Sequence, residues 1–403
     1  MQFASAIVPE ANPKAAAETL SKQVLRELGG KPADLAFLFV SSLYEADWDE
    51  LLDGLFHHLG KKVLIGCSGG GIIGPDKELE FTPAMSLVAA HLPGVQVHPF
   101  LITPKDLQGE EGEPLEQPPE FWIDRIGVRP EDEPIIVLLP NPFSCDVLSL
   151  LGEINRAYPK APVIGGLAST TTQEEDPLLL FDTHVLGSGA VGVALTGNIK
   201  LETIVAQGCR PIGDSYVVTE AEENIIYQLG GKPSVEVLEQ MYASLPQKDQ
   251  ELARQALFVG VVMNEYQSRF GRGDFLIRNL LGMDPEQNAL AVGDRVEIGQ
   301  TIQFHVRDAD SSREDLEESL NQHKESIKQG PPQGGLIFSC MGRGRGLYGE
   351  AHYDIRTVRT AVGSVPLGGF FCNGEIGPVA GRNYVHGYTS SIGLFRPKTA
   401  SDS

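Results

Sequence analysis

A buried-strand run that breaks at glycine or another small residue recurs four times along this chain, and that repetition constrains the fold more than any other feature. In the first copy, ADLAFLFVSSLY (33–44) reads as a buried strand and 47–59 as a helix. VLIGCSGGGIIG (63–74) then reads as a second strand ending in a glycine-rich turn. AMSLVAAHL and VQVHPFLI, on either side of Pro93 and Gly94, predict an antiparallel hairpin. The second copy keeps the order: PIIVLLPNPFSCD from Pro134, a helix over Val147–Ala157, PVIGGLAST from Pro162, and a hairpin with arms AVGVALTG and KLETIVAQG. The third opens with ALFVGVVMN at Ala256 and closes with DRVEIGQTIQFHVRD (294–308), a hairpin turning at Ile298 and Gly299; its middle is the least regular part. The fourth runs from GGLIFSCMGRGRGLYG (334–349) through VPLGGFFCNGEIGP (365–378) to HGYTSSIGLF.

Paired two by two, the copies predict an α+β chain of two related domains, residues 1–210 and 211–403. Each is built from two strand-helix-strand-hairpin units, giving duplicated mixed sheets with helices packed outside. The junction is expected near 207–213, and GDSYVVTEAEENIIYQLGG beyond it reads as two strands about a polar turn. Residues 311–330 predict a charged amphipathic helix that buries Leu316, Leu320 and Ile327. The acidic, proline-rich stretch 104–120 is expected to be a surface insertion without chemistry, because such a composition buries no core.

Charge narrows the function classes. Thirty-two Lys and Arg against 54 Asp and Glu leave a net charge of −22 over 403 residues, which repels phosphate backbones and anionic lipid, so neither nucleic acid nor a membrane is an expected partner. The five cysteines are odd in number and contain no CxxC pair, which suits neither a disulfide framework nor a structural zinc site. No apolar run fits a signal peptide or a membrane helix. A cytoplasmic protein without metal or cofactor is expected.

Chemistry is expected at the glycine-rich strand ends. Without Cβ atoms, a ligand carboxylate or phosphate can approach the backbone N–H groups closely. CSGGG after the first copy's second strand lacks the order of a dinucleotide fingerprint and the Lys-Ser/Thr of a phosphate loop, so a tight turn is the alternative reading. In SCMGRGRG (339–346), Arg343 and Arg345 alternate with glycines after an apolar strand and could clamp a small carboxylate, with Glu375 receiving an amine and Asn373 nearby; a solvated turn is again the alternative. Cys340 next to arginines admits a thiol nucleophile with His352, His386 or Glu375 as base or orienter, but an inert buried cysteine is the expected reading, since no family signature surrounds it. The nine histidines are scattered, and His57 and His58 point to different faces of one helix, so no metal site is expected. Arg269, Arg272 and Arg278 form a basic stretch that either meets an anion or neutralises neighbouring acidic surface.

These residues resemble the FIST-domain family, in which a FIST N and a FIST C domain occur together. The resemblance rests on VLIGCSGGGIIG and PVIGGLAS in the first half. In the second half it rests on FLIRNLLGMDPE, IQFHVRDA, LIFSCMGRGRGLYG and PLGGFFCNGEIGP. It implies an intracellular, non-enzymatic sensory module that binds an amino acid or related small carboxylate. Cys67, Ser68, Gly69, Cys340, Arg343, Asn373 and Glu375 carry over as pocket candidates. With no output domain in view, signalling is expected to pass through a protein partner or through oligomerisation. A thiol enzyme built on Cys340 and an interaction scaffold are the competing expectations.

Overall fold

The computed structural model describes residues 1–44, 48–60, 63–107, 116–172, 175–267, 269–399 and 402. By contact the chain forms two compact units, Met1–Val205 with Ser319–Val385 and Thr389–Ser403, and Ala206–Glu318 with His386–Tyr388. These units cut the chain differently from the expected 1–210 and 211–403, because strands of the fourth copy complete sheets of the first unit.

The first unit is built from three six-stranded mixed sheets with one shared plan. At the centre of each sheet, a strand pairs in parallel with the next one in its copy: Leu35–Ser41 with Val63–Gly69, Ile135–Pro140 with Val163–Gly166, and Gly334–Cys340 with Leu367–Cys372. A parallel pair needs a crossover, and the helices Trp48–Leu59, Val147–Ala157 and Tyr353–Val362 supply it. Asp146 caps the second of these helices, its carboxylate accepting from the Ser149 N–H at 3.1 Å. On the other side of each first strand lies an antiparallel neighbour, Met85–His91, Ala190–Gly197 or Ser390–Arg396.

The outer strands are exchanged in a ring. The short hairpin after Val63–Gly69 joins the third sheet beside Leu367–Cys372, the hairpin after Val163–Gly166 joins the first beside Val63–Gly69, and the one after Leu367–Cys372 joins the second beside Val163–Gly166. Val95–Ile102 likewise pairs with Ala190–Gly197 in the second sheet, Lys200–Ala206 lies beside Ser390–Arg396 in the third, and the first strand of the chain, Gln2–Val8, fills the same place in the first. The expected hairpins in copies one and two are therefore not formed as hairpins. The turns exist, with the Val95 N–H donating to the Leu92 carbonyl at 3.2 Å, but the two arms turn a corner into different sheets.

The inner faces of the three sheets bury one common core that includes Phe37, Phe39, Val137, Leu139, Leu336 and Phe338, while Leu38 and Leu138 face helices on the outer side. Strands buried on both faces read as unbroken apolar runs. Gly66, Gly165 and Gly369 occupy the same register in the three sheets, opposite Leu38, Leu138 and Ile337, and a Cβ on any of them would come within 1.8–1.9 Å of that neighbour's carbonyl oxygen.

The second unit departs from the repeat. Its seven-stranded sheet runs Arg210–Glu222, Thr301–Val306, Leu257–Val262, Phe275–Asp284, Ala289–Val292, Ile225–Leu229 and Lys232–Pro233, and the first strand also pairs with Ile225–Leu229. Leu257–Val262 pairs antiparallel with Phe275–Asp284, since among the described residues no helix separates them to carry a crossover. The hairpin expected at Ile298 and Gly299 is absent, because only its second arm, Thr301–Val306, is a strand. The two strands expected after the junction do pair antiparallel. The charged helix is present as Ala309–Gln322 and Lys324–Gln329, with Leu316, Leu320 and Ile327 buried. Of the 104–120 stretch, Pro104–Leu107 is a short 3-10 turn and 119–120 begin a helix, while 108–115 lie outside the described residues. Among the described residues no helix is long and apolar enough to cross a membrane.

Candidate functional site

The three parallel pairs end at one place in the first unit. Ser169, which the sequence reading did not single out, is the hub of that junction. Its N–H donates to the Ser68 carbonyl at 3.2 Å, its hydroxyl donates to the Phe371 carbonyl at 2.5 Å, and the same hydroxyl accepts from the Gly70 N–H at 2.9 Å. Leu167 donates to the Gly374 carbonyl at 2.9 Å, and Asn373 donates back to Leu167 at 3.1 Å. Strand ends from copies one, two and four are thus tied backbone to backbone. The sequence signal for Ser169 was its place in PVIGGLAS, four residues past the glycine that aligns with Gly66 and Gly369.

Most of the expected pocket residues build this junction from inside. Cys67 is fully buried, and burial pushes its thiol pKa well up. Ser68 is 1% exposed; its hydroxyl donates to the Ser169 carbonyl at 3.0 Å and accepts from the Leu178 N–H at 2.9 Å. Gly69 packs on Phe370, where a Cβ would come within 2.8 Å of the ring's own Cβ. Glu375 is wholly buried, accepting from the Thr389 N–H at 3.0 Å and from the Cys372 thiol at 3.4 Å, so it is not placed to receive an amine from solvent. Asn373 is exposed at the rim. Cys340 is half-buried opposite Cys372 in the parallel register, its sulfur accepting from the Gly342 N–H at 3.4 Å. His352 is engaged elsewhere, its Nδ1 accepting from the Glu78 N–H at 3.0 Å.

Arg343 does not form the expected clamp. It is 1% exposed, and its Nε and Nη2 donate to the two oxygens of Asp354 at 2.8 and 3.1 Å. Nη2 also donates to the Tyr348 hydroxyl at 2.5 Å. Asp354 further accepts from Tyr348 at 2.8 Å and Ser339 at 3.0 Å, and although its burial opposes ionisation, Arg343 and these hydrogen bonds hold its carboxyl below the usual range. Glu78 lies against the same group. Its Oε1 accepts from the Ile355 N–H at 2.8 Å, its Oε2 is buried without a hydrogen-bond partner among the described residues, and burial followed by the charge of Asp354 pushes its pKa up to about 8. Neither Glu78 nor Asp354 stood out in sequence, since 276 positions separate them and only the strand exchange brings Glu78–Glu80 beside the fourth copy.

What remains open to solvent is a shallow depression of about 30 Å³ walled by Gly70, Gly71, Thr171, Met341 and Phe371, with exposed Phe81 and the Glu80 carboxylate at its edge. The Met341 methyl covers Gly70, lying 2.6 Å from where a Cβ would stand. Glu80 accepts from the Arg345 N–H at 2.9 Å and hugs Gly344, while the Arg345 side chain is exposed. In the basic stretch of the second unit, Arg272 pairs with Glu314 at 2.8 Å and Arg278 with Asp294 at 2.6 Å, while Arg269 is exposed. Among the described residues no group of three or more His, Cys, Asp or Glu could hold a metal ion.

Comparison with known proteins gives a consistent assignment. Residues 34–232 match the model of the FIST N domain and 234–378 that of the FIST C domain. An uncharacterized protein of Mycobacterium tuberculosis (strain H37Rv) is 37% identical over 383 residues, covering 95% of this chain and 96% of its own length. An uncharacterized protein of Mycobacterium bovis is 34% identical over 380 residues, covering 94% and 95%. The solved structure of a cyanuric acid hydrolase from A. caulinodans aligns over 99% of both chains with a TM-score of 0.30 and 9% identity, a likeness too weak to carry an argument.

Proposed function

Because this chain belongs to the FIST family, whose domains are associated with small-ligand binding in signal transduction, we propose that it is a non-catalytic sensory protein of the cytoplasm that binds an amino acid or related small carboxylate and acts through a protein partner. The observation that carries this reading is the convergence of glycine-rich strand ends from three copies on one depression, at Gly70, Gly71, Thr171 and Phe371. Glycine backbone, once Met341 moves off Gly70, lets a small polar ligand come close to the main chain.

The roles move from buried residues to their exposed neighbours. Arg345, not Arg343, takes the carboxylate, and Glu80, not Glu375, takes the amine. A cavity of about 30 Å³ holds no more than a water, so ligand entry requires Met341 to swing out; its unbranched, 39% exposed side chain is free of the packing that fixes the core.

A thermal-shift panel of free amino acids and small carboxylates tests the reading, since ligand at a hundred times its dissociation constant adds about 2.7 kcal/mol. Arg345→Ala is expected to abolish the shift without altering the unliganded melting temperature. Glu80→Gln should lose the response to amino acids and keep that to plain carboxylates. A flat panel, or shifts that survive both substitutions, would remove this site.

A further inference from the structure

The second unit holds a larger cavity, of about 440 Å³, at the start of Leu257–Val262 and beside the middle of Phe275–Asp284. Leu257, Phe258 and Leu281 give it apolar walls, Asn279 and Arg254 its polar groups, and Tyr388 closes one side. That size and lining are those of small-ligand pockets.

Tyr388 is held there in an unusual way. Its backbone has φ +65°, a left-handed conformation that is an outlier for so bulky a residue, and such strain gathers at ligand sites. The ring lies against Phe258, with centroids 4.5 Å apart, and the hydroxyl donates to Asn279 Oδ1. The Arg307 guanidinium sits 5.2 Å from the centroid of the same ring.

Arg307 is the second observation. Its Nε and Nη2 are buried and have no hydrogen-bond partner among the described residues. These two atoms form one edge of the guanidinium, the edge that grips a carboxylate with two parallel hydrogen bonds. Burying them unmet is costly.

We propose that this cavity is a binding site for a small aromatic carboxylate. The ligand ring packs on Phe258 and Leu257, Arg254 draws the anion to the mouth, and the carboxylate completes the Nε and Nη2 edge of Arg307 once the Tyr388 ring turns aside. Tyr388 is the stopper, its ring lying between cavity and guanidinium. The site lies wholly within the second unit and uses no residue of the Glu80 and Arg345 depression, so its failure and the failure of that reading are separate events.

Calorimetric titration of the full chain with benzoate and phenylacetate, and with neutral benzamide as control, tests the proposal. The acids are expected to bind and benzamide not. Arg307→Lys, which keeps the charge and loses the two-pronged grip, should weaken the acids by about tenfold or more, while Tyr388→Ala should bind them at least as tightly as the parent. Should Arg307→Lys fail to fold, Leu281→Trp at a 61% exposed rim position fills the cavity and should block the acids. Equal binding of benzamide, unchanged affinity in Arg307→Lys or Leu281→Trp, or no binding of either acid to parent and Tyr388→Ala alike would overturn the site.

Discussion

Arg343 in the first unit and Arg307 in the second are both arginines with buried guanidinium atoms beside a tyrosine, yet they stand in opposite electrostatic states. Arg343 meets Asp354 with two hydrogen bonds and Tyr348 with a third. The Nε and Nη2 of Arg307 have no hydrogen-bond partner among the described residues, and its guanidinium lies over the ring of Tyr388. A buried guanidinium whose partners are internal is part of the framework, and one whose fork is left unmet is where an outside anion has a role. Sequence pattern favoured the first arginine, because it sits between glycines; burial and partner geometry favour the second and the exposed Arg345.

The largest expected effect breaks the framework side of the comparison. Arg343→Met strands the Asp354 carboxylate, 1% exposed, next to Glu78, and should cost about 3–5 kcal/mol in urea unfolding; a loss under about 1 kcal/mol would mean that Asp354 finds other partners and that the pair is not structural.

Glu78 gives that cluster a pH signature. Its carboxyl pKa is raised from 4.5 to about 8 in the folded chain, so the stability contributed by the neutral form is full below pH 4.5 and is lost as pH rises through 8. Asp354 is shifted the other way, and its contribution is lost only in acid, outside this window. Against Glu78→Gln, which is neutral throughout, the parent should therefore lose stability between pH 5 and 8, with a slope of at most about 1.4 kcal/mol per pH unit. Parallel pH profiles for the two proteins would show that Glu78 is ionised throughout.

Two smaller effects sharpen the contrast. Arg307→Met removes a guanidinium whose Nε and Nη2 have no hydrogen-bond partner among the described residues, and unfolding should register a loss of less than about 1 kcal/mol, or a gain. A loss as large as that of Arg343→Met would erase the distinction between the two arginines. Arg345→Ala, at the exposed rim, should stay within about 0.5 kcal/mol of the parent, a null that calorimetry can check before its ligand response is read.

Much of the fold was legible because its causes are local. Leu35–Ser41, Ile135–Pro140 and Gly334–Cys340 are buried on both faces, between the common core and an outer layer, and this makes them continuous apolar runs that end at small residues. The crossover helices follow from 3.6-residue periodicity, and the α+β class with mixed sheets follows from both. The hairpins failed for a physical reason. A Pro-Gly turn fixes a change of direction, but strand pairing depends on which edge is free, and each sheet offers the next copy an equivalent edge. The third copy misled because an apolar strand opens it as in the others, while among the described residues no helix follows that strand, and it pairs antiparallel with the next.

At the site, sequence located the strand ends but did not separate their buried side chains from the exposed ones. Cys67, Ser68 and Glu375 do gather at the junction, buried and hydrogen-bonded within it, whereas Arg345 and Asn373 reach solvent.

The amino-acid sequence by itself determined the repeated strand and helix segments, the glycines at register positions where a Cβ would strike a neighbouring carbonyl, and a net charge of −22 that turns away polyanions. Tertiary structure alone decided which copy lends its hairpin to which sheet, and so placed Glu78 beside Asp354, left the Nε and Nη2 of Arg307 without a hydrogen-bond partner among the described residues and carried the Tyr388 ring over that guanidinium. Those pairings join residues tens to hundreds of positions apart, and burial, which sets whether a charge is partnered or waiting, is a property of the packed molecule and of no local segment.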